Sequence, residues 1–148
     1  MVLMTETLGA DLLAVVARLT RMATQRAHMV LPFAQARLLS TIEDEGATRI
    51  SDLAALDHCS QPTMTMQVRR LEDAGLVSRT IDPDDARAVL IRITPKGSRT
   101  LRQVRVDRGT TIDPYLERLD AADRQTLADA VRVLRRLLDD AAASKSGT

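Results

Sequence analysis

Aromatic residues and cysteines are nearly absent from this sequence. Phe33 and Tyr115 are the only aromatic side chains in 148 residues, so the hydrophobic core must be built from aliphatic and methionine side chains. Single-strand nucleic-acid binding that stacks bases on aromatic rings is excluded for the same reason. Cys59 is the only cysteine and cannot form an internal disulfide, which is typical of a protein in a reducing cytoplasm.

Long uncharged runs and an excess of one charge are missing too. The longest stretch without a charged residue, residues 58–68, is far shorter than the ~20 apolar residues of a membrane helix. The first residues lack the basic region of a secretion signal, so we expect a cytoplasmic protein with no membrane partner. Lys and Arg total 21 against 20 Asp and Glu, and a polyanionic partner must therefore be recognised by local charge.

The apolar spacing predicts a mainly helical fold. Residues 8–23 repeat apolar side chains at helical intervals and predict a long first helix. Pro32 and Gly46 mark the start and the end of a second helix. Ser51 and Ser60 are the predicted N-caps of two short helices that follow one another closely.

A small β-hairpin and two further helices complete the prediction. Two runs rich in β-branched residues, 77–81 and 88–93, flank a turn-forming segment and predict two antiparallel strands. Thr94 is the predicted N-cap of the next helix, which Pro114 must kink or split. Asp120 caps the last helix, whose wide apolar stripe needs a partner to cover it.

This order of elements is typical of a winged helix-turn-helix, in which the second helix of the pair enters the major groove of duplex DNA. We expect one domain over residues 1–148, with residues 31–94 forming the DNA-binding part. The helices in 1–30 and 95–143 would then form a dimerisation part. A twofold dimer predicts an operator with an inverted repeat, its half-sites about one helical turn apart.

The predicted reading helix carries short polar and basic side chains on its outward face. These can contact base edges and phosphates, and the helix N-terminus attracts phosphate. The opposite side of the helix repeats Met64, Val68 and Leu71 as a buried seam. The candidate DNA-binding residues of this helix are Ser60, Gln61, Pro62, Thr63, Thr65, Gln67, Arg69 and Arg70.

Two residues of the hairpin complete the candidate DNA-binding set. Arg87 is a single cation on a narrow projection, which suits insertion into a minor groove. Asp85 either orients Arg87, pairs with Arg79 or serves only the chemistry of the turn.

Several motifs in this region resemble the MarR (multiple antibiotic resistance regulator) family. Residues 51–54 (Ser-Asp-Leu-Ala) are similar to the S-x-L-A opening, and Thr65 with residues 71–79 resembles T-x5-L-E-x-x-G-L-V-x-R. Residues 82–87 (Asp-Pro-Asp-Asp-Ala-Arg) resemble the wing signature D-P-x-D-x-R, and residues 94–97 resemble T-P-x-G. Residues 31–39 are similar to the second helix of the family. The resemblance implies a winged helix-turn-helix homodimer that represses transcription and is released from DNA by a small molecule.

The sequence departs from the family pattern at three places. His58 stands where the family usually turns on glycine, which raises the question of a positive φ at a residue with a side chain. Met66 replaces an outward residue that is commonly polar or basic, and its thioether suits a thymine methyl group. Gly109 and Pro114 weaken a helix that the family often keeps long.

Several residues also indicate functions other than DNA binding. Cys59 precedes a helix N-terminus and is either a packed core residue or the thiol of a redox-sensing regulator. The arginines of residues 96–108 fan around their helix, which favours solvated or paired charges over a phosphate-binding stripe. No nucleophile and base are spaced for catalysis, and no cofactor or metal site is expected. A winged-helix module that binds proteins instead of DNA is the competing class.

The junction of the first two helices holds the candidate effector-binding residues. The family resemblance implies a small-molecule pocket there, and ordinary packing is the alternative for each side chain. The candidates are Met22, His28, Met29 and Phe33.

Overall fold

The computed structural model describes residues 2–145, with side chains from residue 7 to residue 144. The described residues form two compact units, one up to residue 111 and one from residue 112 onward. The first unit contains α1 (Val2–Arg26), α2 (Phe33–Glu45), β1 (Thr48–Arg49), α3 (Ile50–Leu56), α4 (Gln61–Asp73), β2 (Val77–Asp82), β3 (Asp85–Ile93) and α5 (Pro95–Thr110). The second contains α6 (Asp113–Leu116) and α7 (Ala121–Lys145). The mainly helical class with a β-hairpin wing is confirmed.

The sheet has three antiparallel strands in the order β1-β3-β2, one more than the hairpin that was predicted. The additional strand, β1, is only two residues long, with Thr48 opposite Ile91 and Arg49 opposite Leu90 of β3. Two residues carry no alternating pattern that could reveal a strand. The hairpin itself runs from Val77 opposite Ile93 to the tip, with an irregularity in its register next to Asp82.

The core of the first unit is aliphatic and sulfur-based, as the composition predicts. It lies between α2, α3, α4, α5 and the sheet. Burial of these side chains is the main force that holds the helix-turn-helix and the wing together. The largest fully buried side chains are Leu39, Ile42, Leu53, Met64, Leu71, Ile91, Val68 and Val104.

Local signals set most helix ends. Ser60 accepts a hydrogen bond from the N–H of Thr63 and caps α4, and Thr94 does the same for α5 through the N–H of Gly97. Both predicted N-caps are confirmed. The prediction that Ser51 caps α3 is wrong, because α3 begins at Ile50 and its N-cap is Arg49, which has no side-chain capping bond.

Glycines and prolines lie at helix ends at or close to the predicted positions. Gly46 and Gly75 follow α2 and α4 with φ of 72°, and Gly75 donates to the carbonyl of Glu72 in a Schellman-type ending. Pro32 is the N-cap of α2 and not its first helical residue. Regular helix stops at Thr110 and resumes as the short α6, which contains Pro114, so the predicted split is confirmed.

The second unit is dominated by the 25-residue helix α7. Asp120 accepts a hydrogen bond from the N–H of Asp123 at the start of this helix, as predicted for its cap. Several large apolar side chains of α7 are exposed, including Leu127, Val131 and Leu138. Within residues 2–145, no helix combines the length and apolar character needed to cross a lipid bilayer.

Candidate nucleic-acid interface

Helix α4 is anchored to the core by one face. Met64, Val68 and Leu71 are all fully buried, and their spacing of four and three residues places them on one side of the helix. α4 packs against α3, α2 and β2. The opposite side of the helix is therefore held toward solvent.

The outward side of α4 carries most of the predicted DNA-binding residues. Since each residue turns the helix by about 100°, Asp73, Met66 and Pro62 lie farthest from the buried seam, and Arg69 lies next to them. Gln67 lies beside the seam and is half-buried, so it is less available than the sequence alone indicated. The exposed candidates are Ser60, Gln61, Pro62, Thr63, Thr65, Arg69 and Arg70.

Met66 lies near the middle of this exposed face with 55% of its surface accessible. Its sulfur lies 3.9 Å from Nη2 of Arg70, one helical turn later. An apolar, polarisable side chain flanked by hydroxyls and guanidinium groups can contact a thymine methyl while its neighbours contact phosphates.

The N-terminal end of α4 is shaped by a tight turn. The hydroxyls of Ser60 and Thr63 lie 2.8 Å apart, so both are held at the end of the helix. His58 in the preceding turn has φ of 51°, which answers the question raised by the missing glycine. Cys59 is half-buried and packs against the core, as its packing interpretation requires; its redox role remains a prediction.

The tip of the wing presents Arg87 to solvent. Its side chain is 96% exposed and its Nε lies 3.7 Å from Oδ1 of Asp85, which also accepts a hydrogen bond from the N–H of Arg87. Arg87 belongs to β3, and the turn itself is only Pro83 and Asp84. Arg79 pairs instead with Glu72 at 2.7 Å, so the alternative pairing of Asp85 with Arg79 is wrong.

A second ion pair in the wing was not predicted. Nε and Nη2 of Arg49 donate to Oδ2 of Asp82 at 3.1 and 2.6 Å, while Oδ1 accepts from the N–H of Asp84 at 2.9 Å. The Asp84 N–H and then the Arg49 guanidinium hold the pKa of Asp82 below its ordinary value. The bond to Asp82 in turn raises the pKa of Arg49. The partners are 33 residues apart, so no local pattern signals the pair.

The basic stretch of α5 is partly paired, which agrees with its predicted character. Arg105 forms an ion pair with Glu43 at 2.9 Å, and Arg108 lies over the ring of Phe33, 5.8 Å from its centre. Nζ of Lys96 donates to the carbonyl of Ala74 at the end of α4. These cations contact the protein itself, and α5 presents no continuous basic stripe.

The structure does not gather the four candidate effector residues in one cavity. Phe33 lines a cleft of about 400 Å³ between α1 and α2, whereas Met22 lines a separate groove on α1. Met29 packs against the core and His28 is exposed. Phe33 was a predicted residue of this cleft, but the residues of the opposite wall were not predicted. They belong to α1 and are Ala17, Thr20, Arg21, Thr24 and Gln25.

A metal ion is held by several donor side chains that lie close together. Among the residues that the structure describes, no three side chains of His, Cys, Asp or Glu lie close enough to bind one ion. His28 and His58 are therefore not joined there by further ligands.

A family model and several known proteins match this chain. The model of the MarR family matches residues 31–89, which include α2, α3, α4 and most of the wing. An HTH-type transcriptional regulator of Mycobacterium tuberculosis, MT0903.1, is 29% identical over 134 residues, covering 90% of this chain and 94% of that protein. The HTH-type transcriptional regulator FarR of Neisseria gonorrhoeae is 29% identical over 108 residues, 73% of this chain and 69% of FarR.

Solved structures share the fold. Transcriptional regulator Tm0710 from Thermotoga maritima superimposes with a TM-score of 0.72 at 26% identity, over 93% of this chain and 98% of that one. The Multiple Antibiotic Resistance Repressor, MarR, has a TM-score of 0.68 at 23% identity, over 88% and 94% of the two chains, and shows the likeness of fold. Residues 31–89, which carry the exposed polar and basic helix and the arginine-tipped wing, therefore match the MarR family model, and the chain is similar along most of its length to HTH-type transcriptional regulators.

Proposed function

We propose that this protein is a repressor that binds an inverted-repeat operator as a homodimer and is released by a small-molecule effector. The observation that carries the proposal is the division of α4 into a fully buried seam and an exposed polar and basic face, next to a projecting Arg87. A helix of this kind fits the major groove, and an arginine on a narrow wing fits the minor groove. We propose that the protein is located in the cytoplasm, where it can reach the DNA that it binds.

Residues of α4 have distinct roles in this proposal. Ser60, Thr63 and the N-terminus of α4 bind phosphate, and Thr65 and Met66 face base edges. Arg69 and Arg70 bind the flanking backbone. A bound dimer would cover the promoter, which is why we favour repression.

The cleft beside Phe33 is the site that we favour for the effector. Of the four candidate residues, Phe33 lies in a cleft with mainly apolar walls and with the guanidinium of Arg108 stacked on its ring. A ligand there would separate α1 from α2 and change the spacing of the two reading helices, so that fewer dimers span both half-sites.

The DNA-binding role is tested by Arg87→Ala. After selection of an operator from random duplexes, we expect the variant to bind about tenfold more weakly and its salt slope to fall by about one. Arg102→Ala, which removes an exposed cation of α5, is the matched control and leaves both quantities unchanged. Equal losses in both variants would mean that overall charge, and not the wing, binds DNA. Failure to select any duplex would favour the protein-binding alternative.

A further inference from the structure

Two side-chain ion pairs connect the wing to the helix-turn-helix: Arg79 of β2 with Glu72 of α4, and Arg49 with Asp82 at the outer end of the hairpin. Arg49 lies in β1 and is also the N-cap of α3, the helix that packs against α4. Its guanidinium donates to Asp82, the last residue of β2. The pair therefore joins the frame that positions α4 to the strand that supports the wing tip.

The outer half of the wing needs this support. β1 pairs with β3 only at Ile91 and Leu90, so the part of the hairpin beyond Leu90 has two strands in the described sheet. An isolated two-stranded hairpin is marginally stable in water. Asp82 lies at the register irregularity of that outer part, where an added contact restrains the hairpin most.

The contact continues from Asp82 to the tip. The second carboxylate oxygen of Asp82 accepts from the N–H of Asp84 in the turn, and Asp82 lies opposite Asp85 in the register. Asp85 in turn accepts from the N–H of Arg87. Since only 8% of the Asp82 side chain is exposed against 42% for Arg49, the carboxylate depends on these partners and is poorly placed to contact anything else.

We propose that Arg49 and Asp82 are positioning residues for duplex binding. The pair holds the wing at the angle at which Arg87 reaches the minor groove while α4 lies in the major groove, and Asp82 itself does not touch DNA. The inference rests on the proposed function. It makes a counterintuitive prediction, because removing the negative charge of Asp82 should strengthen binding to a polyanion by simple electrostatics, whereas loss of positioning weakens it.

The test is a double-mutant cycle between Asp82→Asn and Arg87→Ala, with the full chain and a mixed-sequence duplex of about 30 base pairs in low salt. Fluorescence anisotropy gives Kd. We expect Asp82→Asn to weaken binding about threefold or more in the native background, and by less than about twofold once Arg87 is already alanine. Unchanged or tighter binding by Asp82→Asn, or the same loss in both backgrounds, would overturn the proposal.

Two further variants separate positioning from other roles. Glu43→Gln also removes one carboxylate from an ion pair, with Arg105 of α5, and we expect it to bind no more weakly than the native protein. Arg49→Lys keeps a cationic donor and should bind more tightly than Arg49→Met. If Arg49→Met weakens binding while Asp82→Asn does not, Arg49 contacts DNA directly and the proposal fails.

Stability and function are distinguished by two readouts. Thermal unfolding of each variant shows whether it is folded at the assay temperature; a variant that is unfolded there would make the pair a stability element and overturn the positioning role. If Arg87→Ala weakens binding and Asp82→Asn is silent, only this inference falls. If the native protein binds no duplex, the proposed function falls with it.

Discussion

His58 has a backbone conformation that glycine adopts more easily. Its φ of 51° is in the left-handed region, which costs a residue with a side chain roughly 1–2 kcal/mol. We expect His58→Gly to raise the free energy of unfolding by up to about 1 kcal/mol, since relief of this strain exceeds the added freedom of the unfolded chain. Urea denaturation measures the change.

The control for this prediction is Ala55→Gly, at an exposed position of α3 with ordinary helical geometry. Glycine there should lower stability by about 1 kcal/mol. If both substitutions lower stability to the same extent, the positive φ of His58 carries no strain worth relieving.

Residue types alone predicted much of the α4 surface, and the exceptions have a simple cause. Side-chain polarity favoured Gln67 as an outward residue, but its angular position beside Met64 and Val68 leaves it half-buried. The predicted role of Ser51 was wrong for a different reason: Arg49 pairs with Leu90 in the sheet and is the N-cap of α3, so the helix begins two residues earlier than predicted. Long-range pairing overrode a local capping preference.

Between elements, the contact of α5 with the start of the wing depends on Gly97. A Cβ at this position would lie 2.1 Å from the backbone oxygen of Leu76 and 2.7 Å from Cγ1 of Ile93. The Leu76 oxygen belongs to the backbone and cannot move without shifting the start of the hairpin, so we expect Gly97→Ala to lower the free energy of unfolding by about 3 kcal/mol.

Gly109, also in α5, provides the matched comparison because a Cβ there meets nothing within 4 Å. Gly109→Ala should raise stability by up to about 1 kcal/mol through helix propensity. Urea titrations of the two variants against the native protein measure both changes. Equal effects of the two substitutions would show that α5 can move away from Leu76 at no cost.

The elements that could be predicted from the sequence are those with local signals. The caps Ser60 and Thr94 and the strand runs of the wing lie within a few residues of the structure they specify. β1 and the ion pair of Arg49 with Asp82 could not be predicted, since each is formed by partners more than 30 residues apart. The sequence therefore predicted only that Asp82 belongs to a turn, and not that it pairs with Arg49.

At the scale of the molecule, a net charge of +1 is compatible with DNA binding because two of the acidic groups near the interface are neutralised. Glu72 is paired with Arg79 and Asp82 with Arg49. Arg69, Arg70 and Arg87 remain exposed on the proposed DNA-facing side. The positive charge is thus concentrated on one part of the surface. A protein with balanced overall charge needs such a local concentration to bind a polyanion.

The exposed apolar side chains of α7 predict where two copies of the chain pack together. Leu127 and Val131 are exposed on α7, and a second copy would cover them by packing its terminal helices. Leu127→Glu with Val131→Glu should give a monomer in light scattering and lower operator affinity at least about 100-fold, because two linked half-site contacts become one. Arg136→Glu changes the charge by the same amount, at a position about 160° around the helix from the midpoint of Leu127 and Val131, and should remain dimeric. A double variant that still dimerises would place the interface away from this stripe of α7, whereas a monomer with undiminished affinity would show that one wing and one reading helix suffice for binding.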